Sequence, residues 1–213
     1  MILALDTTSE YGSIALARSD GGIVEVDEIH SPDGFGHVIF QRVAALLERR
    51  GRRLADVECY AAASGPGSFT GVRIGLTAVK GLAELHGKRV APVSNLLALA
   101  WAGSGELRAP VIDARRGEIY GAVYDSELRL VAPEVVAPFE RFIELIGERP
   151  VTFISTGFEP APGLRLVTAP RALAGPVAAV AARALAEGRT LLPEQVEANY
   201  VRRPDAELKW RVL

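Results

Sequence analysis

Cysteine occurs once in the 213 residues, as Cys59. A single thiol cannot close an intrachain disulfide or furnish a cysteine-rich metal site. Histidine is almost as scarce: only His30, His37 and His86 are present, and Gln41 stands four residues after His37 where a second ligand would be needed. The ligand spacing of a zinc hydrolase is therefore missing. No apolar stretch reaches the roughly 18 residues of a membrane-spanning helix. The opening Met1-Ile2-Leu3-Ala4-Leu5-Asp6 lacks the basic region and small-residue cleavage site of a secretory leader. The cytoplasm is the expected location, with no membrane partner. Charge of one sign is also lacking, since a net −2 and a pI near 6.0 give no global attraction to nucleic acid. The one basic cluster, Arg49, Arg50, Arg52 and Arg53, falls at the end of an expected helix, where cations complement the dipole.

What remains is the composition of an ordinary globular protein, 49% hydrophobic and 23% charged, long enough for one large domain or two small ones. Periodicity places strands at 1–6, 12–19 and 23–30 ahead of a helix over 37–50. A strand at 57–63, a glycine turn, a helix over 70–85, a strand at 89–93 and a short helix over 95–101 follow. After a Gly/Ser break at 103–105 the order restarts, with strands at 109–114, 118–125 and 128–135, a helix at 138–146, a strand at 151–155 and a helix at 176–187. Both halves read βββαβα. Aligning LALDTTSEYGSIALA with APVIDARRGEIYGAV sets Asp6 against Asp113, each closing the first strand of its half. The expected fold is α/β, two ribonuclease-H-like lobes of the actin/Hsp70 type, each a mixed five-stranded sheet carrying helices. The lobes are expected at 1–104 and 105–213, the last segment being a candidate to pack back on the first lobe.

In that fold class a nucleotide sits between the lobes, with an acidic residue from each first strand near the phosphates. Asp6, Thr7 and Thr8 offer a carboxylate and hydroxyls suited to hydrated Mg²⁺ and phosphate, though the turn chemistry of a strand end explains them equally well. The most specific stretch is Ala63-Ser64-Gly65-Pro66-Gly67-Ser68-Phe69-Thr70-Gly71-Val72-Arg73-Ile74-Gly75-Leu76. Strand, glycine turn and helix N-terminus together make an anion site from free amides. No Gly-Lys-Ser/Thr follows, so it is not a Walker loop, and it carries no Gly-x-Ser-x-Gly elbow. It does read as a loosened dinucleotide fingerprint, but Pro66 removes a donor and the next strand ends at Val93-Ser94 without an acid for a ribose. The alternative is that Ser68 or Thr70 caps a helix whose glycines permit close packing. Asp6, Thr7, Thr8, Gly65, Gly67 and Asp113 are thus the nucleotide-site candidates. Asp113 and Glu118 form a further acid/base pair whose convergence the sequence leaves open.

The helix over 70–85 is apolar or small nearly all round, and the helix over 37–50 shares that character. A helix with more than one apolar face needs more than one neighbour. Ile39, Phe40, Val43, Leu47, Gly71, Ile74, Ala78 and Leu82 are the residues expected at a docking surface, burial within the chain being the competing use.

The segment Ser64–Leu76, together with the opening Ile2-Leu3-Ala4-Leu5-Asp6-Thr7-Thr8 and the closing Glu197-Ala198-Asn199-Tyr200-Val201-Arg202-Arg203-Pro204-Asp205-Ala206-Glu207, resembles the YeaZ/TsaB family. The resemblance implies an actin-like, glycoprotease-like paralogue of the catalytic subunit TsaD. It further implies a non-catalytic partner role in transferring a threonylcarbamoyl group to the adenosine beside the anticodon of tRNA. The ATPase TsaE would join the assembly, the chain alone would form a homodimer through its two apolar helices, and tRNA would be reached only through the complex. TsaD holds its metal with a His-x-x-x-His pair, which is incomplete here at His37 and Gln41. In the second lobe, Asp113-Ala114-Arg115 lacks the glycine usual two residues after the aspartate, and Ser155-Thr156-Gly157-Phe158 has one glycine where a pair is usual. No catalytic residue, no metal ligand and no tightly bound cofactor are expected, leaving ATP or ADP with Mg²⁺ to an interface of the complex. The competing functions are a self-sufficient glycoprotease-like metallohydrolase or actin-like ATPase, and a dinucleotide-dependent enzyme.

Overall fold

The computed structural model describes residues 1–31 and 34–202. The first half begins with β1 (Ile2–Asp6), β2 (Tyr11–Ala17), β3 (Ile23–His30), α1 (Ile39–Arg49) and β4 (Cys59–Ala63). It ends with α2 (Phe69–His86), β5 (Arg89–Val93) and α3 (Asn95–Ala102). The second half contains β6 (Leu107–Arg115), β7 (Glu118–Asp125), β8 (Leu130–Pro138), α4 (Phe139–Ile146), β9 (Thr152–Ser155), β10 (Leu166–Thr168) and α5 (Ala174–Ala186). The strands form two five-stranded sheets, ordered β3-β2-β1-β4-β5 and β10-β9-β6-β7-β8. In each, the first strand of the half is central, antiparallel to its hairpin partner and parallel to the strand after the helix. This is the mixed sheet of the ribonuclease-H-like, actin/Hsp70-type lobe. The second half departs from the first in one place, because β9 and β10 pair in parallel with no helix between them.

Why β1 lies at the centre follows from its residues. Ile2 to Asp6 are buried throughout, as a strand covered on both faces must be. Leu3 and Leu5 face the core beneath α1 and α2. Ile2 and Ala4 face the opposite side, where Ala15, Ala61, Ala63 and Ala91 make a floor of small side chains for alanine-rich α5. At the edge, β3 carries Glu25, Asp27 and Glu28, charges that discourage pairing with another sheet. Arg49 and Arg50 at the end of α1 both reach Glu25, and Arg42 reaches Asp27 at 2.9 Å. Two members of the basic cluster thus clamp a helix end onto the edge strand.

The helices are exchanged between the sheets. α3, which precedes the Gly/Ser break, packs on β6, β7 and β9, whereas α5, which follows the second sheet, packs on β1, β2 and β4. The two helices touch each other, so they form the middle layer of the molecule, and α4 covers the outer face of the second sheet through Phe142 and Ile146.

Candidate functional site

A cleft of about 940 Å³ opens where the ends of β1 and β6 approach each other. Asp6, Thr7, Thr8, Gly67 and Asp113 line it, together with Arg115. Five of the six nucleotide-site candidates are therefore brought together. Gly65 lies just behind, with a backbone φ of +106° that favours glycine.

The polar groups of this cleft are largely engaged with one another. Asp6 is buried, and its Oδ1 accepts from the Thr8 amide at 2.9 Å and from Thr8 Oγ1 at 2.6 Å. Burial pushes the Asp6 carboxyl up from the ordinary aspartate range, against the opposing pull of the Thr8 hydrogen bonds. Asn95, the first residue of α3, donates to Thr8 Oγ1 and accepts the Gly65 amide at 3.0 Å. The Ser68 amide donates to the Thr8 carbonyl at 2.7 Å, and the Gly71 amide to Ser68 Oγ at 3.2 Å, which makes Ser68 the N-cap of α2. Asp113 accepts the Arg115 amide at 2.7 Å and the Arg115 guanidinium at 3.1 Å.

The glycines explain themselves by the same geometry. A Cβ on Gly67 would stand 2.8 Å from the Thr8 carbonyl oxygen, and one on Gly71 only 1.9 Å from that of Thr7. The turn after β4 is glycine-rich because the backbone at the end of β1 passes directly over it, a demand that phosphate binding is not needed to explain.

The second site is a groove of about 450 Å³ between α1 and α2, lined by Ile39, Phe40, Phe69, Arg73, Ile74 and Thr77 among others. Phe40 is 54% exposed and Phe69 42%. Four of the eight residues expected at a docking surface, Ile39, Phe40, Ile74 and Ala78, line this groove. Ile39, Val43, Leu47, Ala78 and Leu82 are buried in the core under α1 and α2, and Gly71 is buried against Thr7. Of the eight residues expected there, Phe40 is exposed and Ile74 half-buried. The inner apolar face of each helix is used within the chain, and the outer face belongs to Phe40, Phe69, Arg73, Ile74 and Thr77.

Among the described residues, no group of three or more His, Cys, Asp or Glu side chains converges as a metal site would. No helix among them is long and apolar enough to cross a membrane. Cys59 is fully buried in β4, and burial pushes its thiol up to about 11. His37 is exposed in the turn that precedes α1. Glu118 is drawn to Arg202 rather than to Asp113.

Sequence reasoning missed the part played by Glu134, which accepts from Ser94 Oγ, from Tyr124 Oη at 2.7 Å and from Asn199 Nδ2 at 2.6 Å. Its signal was faint: one carboxylate in the otherwise apolar run of β8.

Known proteins resolve which branch of the fold this is. The family described as TsaD, tRNA N6-adenosine threonylcarbamoyltransferase, matches residues 33–162. The tRNA threonylcarbamoyladenosine biosynthesis protein TsaB of Escherichia coli is 34% identical, over 100% of this chain and 97% of its own. The chain belongs to the TsaB family. The Bacillus subtilis TsaB is 35% identical over 72% of this chain and 69% of its own. The solved structure of YeaZ from Pseudomonas aeruginosa superposes with a TM-score of 0.79 at 30% identity, covering 93% of this chain and 98% of that one. Of the closing segment that resembles the family, Glu197 to Arg202 belong to the described residues and Arg203 to Glu207 lie outside them.

Proposed function

We propose that this chain is a non-catalytic partner subunit in tRNA threonylcarbamoyladenosine biosynthesis, docking on the catalytic TsaD-type subunit through the groove between α1 and α2. The place in that biosynthesis rests on its TsaB relatives. The observation that carries the docking role is the groove itself, where two aromatic rings and Ile74 are open to solvent beside helices already anchored from within. Anchored helices present such a surface at little ordering cost, which favours binding. The match to the TsaD family supports a partner of the same architecture, one able to offer equivalent helices. A homodimer through the same groove would then be the resting form.

The interior of the cleft supports the non-catalytic half of the reading. Mg²⁺ with ATP or ADP would need free carboxylate oxygens and free amides. Instead the Asp6 Oδ1 is taken by Thr8, Asp113 is held by Arg115, and the amides of Gly65, Ser68 and Gly71 donate within the chain. These engagements weigh against a tight nucleotide site in the isolated chain, and no step of transfer is assigned to its residues. TsaE and tRNA would be met in the assembled complex, with Arg49 and Arg50 already committed to Glu25.

Light scattering of the chain, alone and mixed with the TsaD-type subunit of the same organism, tests this directly. A homodimer that gives way to a mixed complex, with both lost in Ile74→Glu, is the expected result. A monomer indifferent to the partner would overturn the reading.

A further inference from the structure

We infer that the segment Val196–Arg202 is a strap that couples the rim of the α1/α2 groove to the width of the interlobe cleft. After α5 the chain returns along the first lobe, where Leu191 pairs with Val90 and Val196 is buried in the core beneath α2. Lys80 of α2 donates to the Val196 carbonyl at 3.1 Å. The next residues then grip three different parts of the molecule.

Asn199 donates its amide to the Ser64 carbonyl at 2.8 Å on the first lobe, and its side chain to Glu134 of the second sheet at 2.6 Å. The Tyr200 ring stacks on Phe69 with centroids 5.3 Å apart, and its hydroxyl accepts from Arg73 Nε at 3.0 Å. The Arg73 guanidinium in turn lies 3.8 Å over the Phe69 ring. Phe69 and Arg73 both line the groove. Arg202 donates to the Ala114 carbonyl at 2.9 Å, pairs with Glu118 and sits over Tyr120 at 5.7 Å. Ala114 and Glu118 flank the β6–β7 hairpin that carries Asp113 and Arg115 into the cleft.

The three residues Tyr200, Val201 and Arg202 thus join the groove rim to the cleft wall. The Arg202 contacts are charge-assisted and partly shielded, its side chain being 22% exposed, so they hold the hairpin more firmly than a solvent-exposed pair would. Whatever moves Phe69 or Arg73 moves Tyr200, and the strap passes the shift to the hairpin two residues on.

The test uses the chain alone, so it requires no TsaD-type partner. Glu84→Cys and Glu140→Cys place spin labels on exposed positions of the two lobes, and the buried Cys59 does not compete for them. Distances are read by pulsed electron resonance, with labelled chain diluted in unlabelled chain. The labelled wild type should give one narrow distribution. Arg202→Ala and the conservative Glu118→Gln should broaden it and shift it to longer distance, and Phe69→Ala, at the far end of the strap, should do the same. Unchanged thermal unfolding in Glu118→Gln keeps the comparison within the folded state. An unaltered distribution in the Arg202 and Glu118 variants, or broadening there that Phe69→Ala fails to reproduce, overturns the coupling.

Discussion

Thr7 and Gly71 are interlocked: Thr7 Oγ1 donates to the Gly71 carbonyl at 2.7 Å, and a Cβ on Gly71 would stand 1.9 Å from the Thr7 carbonyl oxygen. The end of β1 and the first turn of α2 therefore meet backbone to backbone. Gly71→Ala has no flexible neighbour to push aside and should cost about 3 kcal/mol or more, the upper range of overpacking. Gly81, in the same helix, has nothing within 4 Å of its absent Cβ. Gly81→Ala should stabilise by about 0.5–1 kcal/mol through helix propensity and a less disordered unfolded chain. Urea titration of the two variants should give midpoints on opposite sides of the wild type.

Asp6 gives a pH signature of opposite sign to ordinary surface carboxylates. Its folded carboxyl is raised above the unfolded value, chiefly by burial, so the folded state holds the proton more tightly. Stability from this group is full below the unfolded aspartate range and falls as pH rises through the folded value. Asp6→Asn keeps an oxygen to accept from Thr8 and removes the charge. Denaturation midpoints of Asp6→Asn should decline less than wild type over that rise in pH; parallel curves would show that Asp6 is not buried as a titrating acid.

The two faces of α1 should respond differently to the same substitution. Val43 is 2% exposed and Phe40 54%. Val43→Glu buries an unpaired charge and should destabilise the chain by several kcal/mol. Phe40→Glu should leave the melting temperature nearly unchanged and abolish association in light scattering. Equal loss of stability in both would place Phe40 in the core.

Calorimetric titration of the isolated chain with ADP and Mg²⁺ should show no saturable binding in the micromolar range, given the engaged donors of the cleft. A well-defined isotherm would require the Asp113–Arg115 pair to open.

The architecture was legible because its signals are local. Continuous burial of β1 and β4, the alternation of charged and apolar residues in β3, and the repeat of Asp6 at Asp113 all follow from pattern. β10 escaped because three residues, Leu166–Thr168, are too few for a period to show. The inner and outer faces of α1 and α2 were confused for a different reason. Helical spacing shows that Ile39, Val43 and Phe40 are apolar, but which of them meets the sheet is decided by packing against Leu5, Ile14 and Leu16. Likewise Gly-x-Gly is visible as a phosphate-loop pattern, whereas the partners that occupy its amides, Asn95 and Thr8, lie far off in sequence. The grip of Asn199 on Glu134 spans 65 residues and leaves no local trace.

The proposed role, docking in threonylcarbamoyl transfer without chemistry of its own, assigns the function to the groove rather than to the cleft. Its most direct test is the reconstituted modification of tRNA by the TsaD-type and TsaE-type subunits of the same organism, with this chain supplied as wild type, Ile74→Glu or Asp113→Asn. Full modification is expected with wild type, near-full modification with Asp113→Asn, and none with a folded Ile74→Glu chain. Modification that survives Ile74→Glu but fails with Asp113→Asn would contradict it, and would move the function from the groove to the cleft.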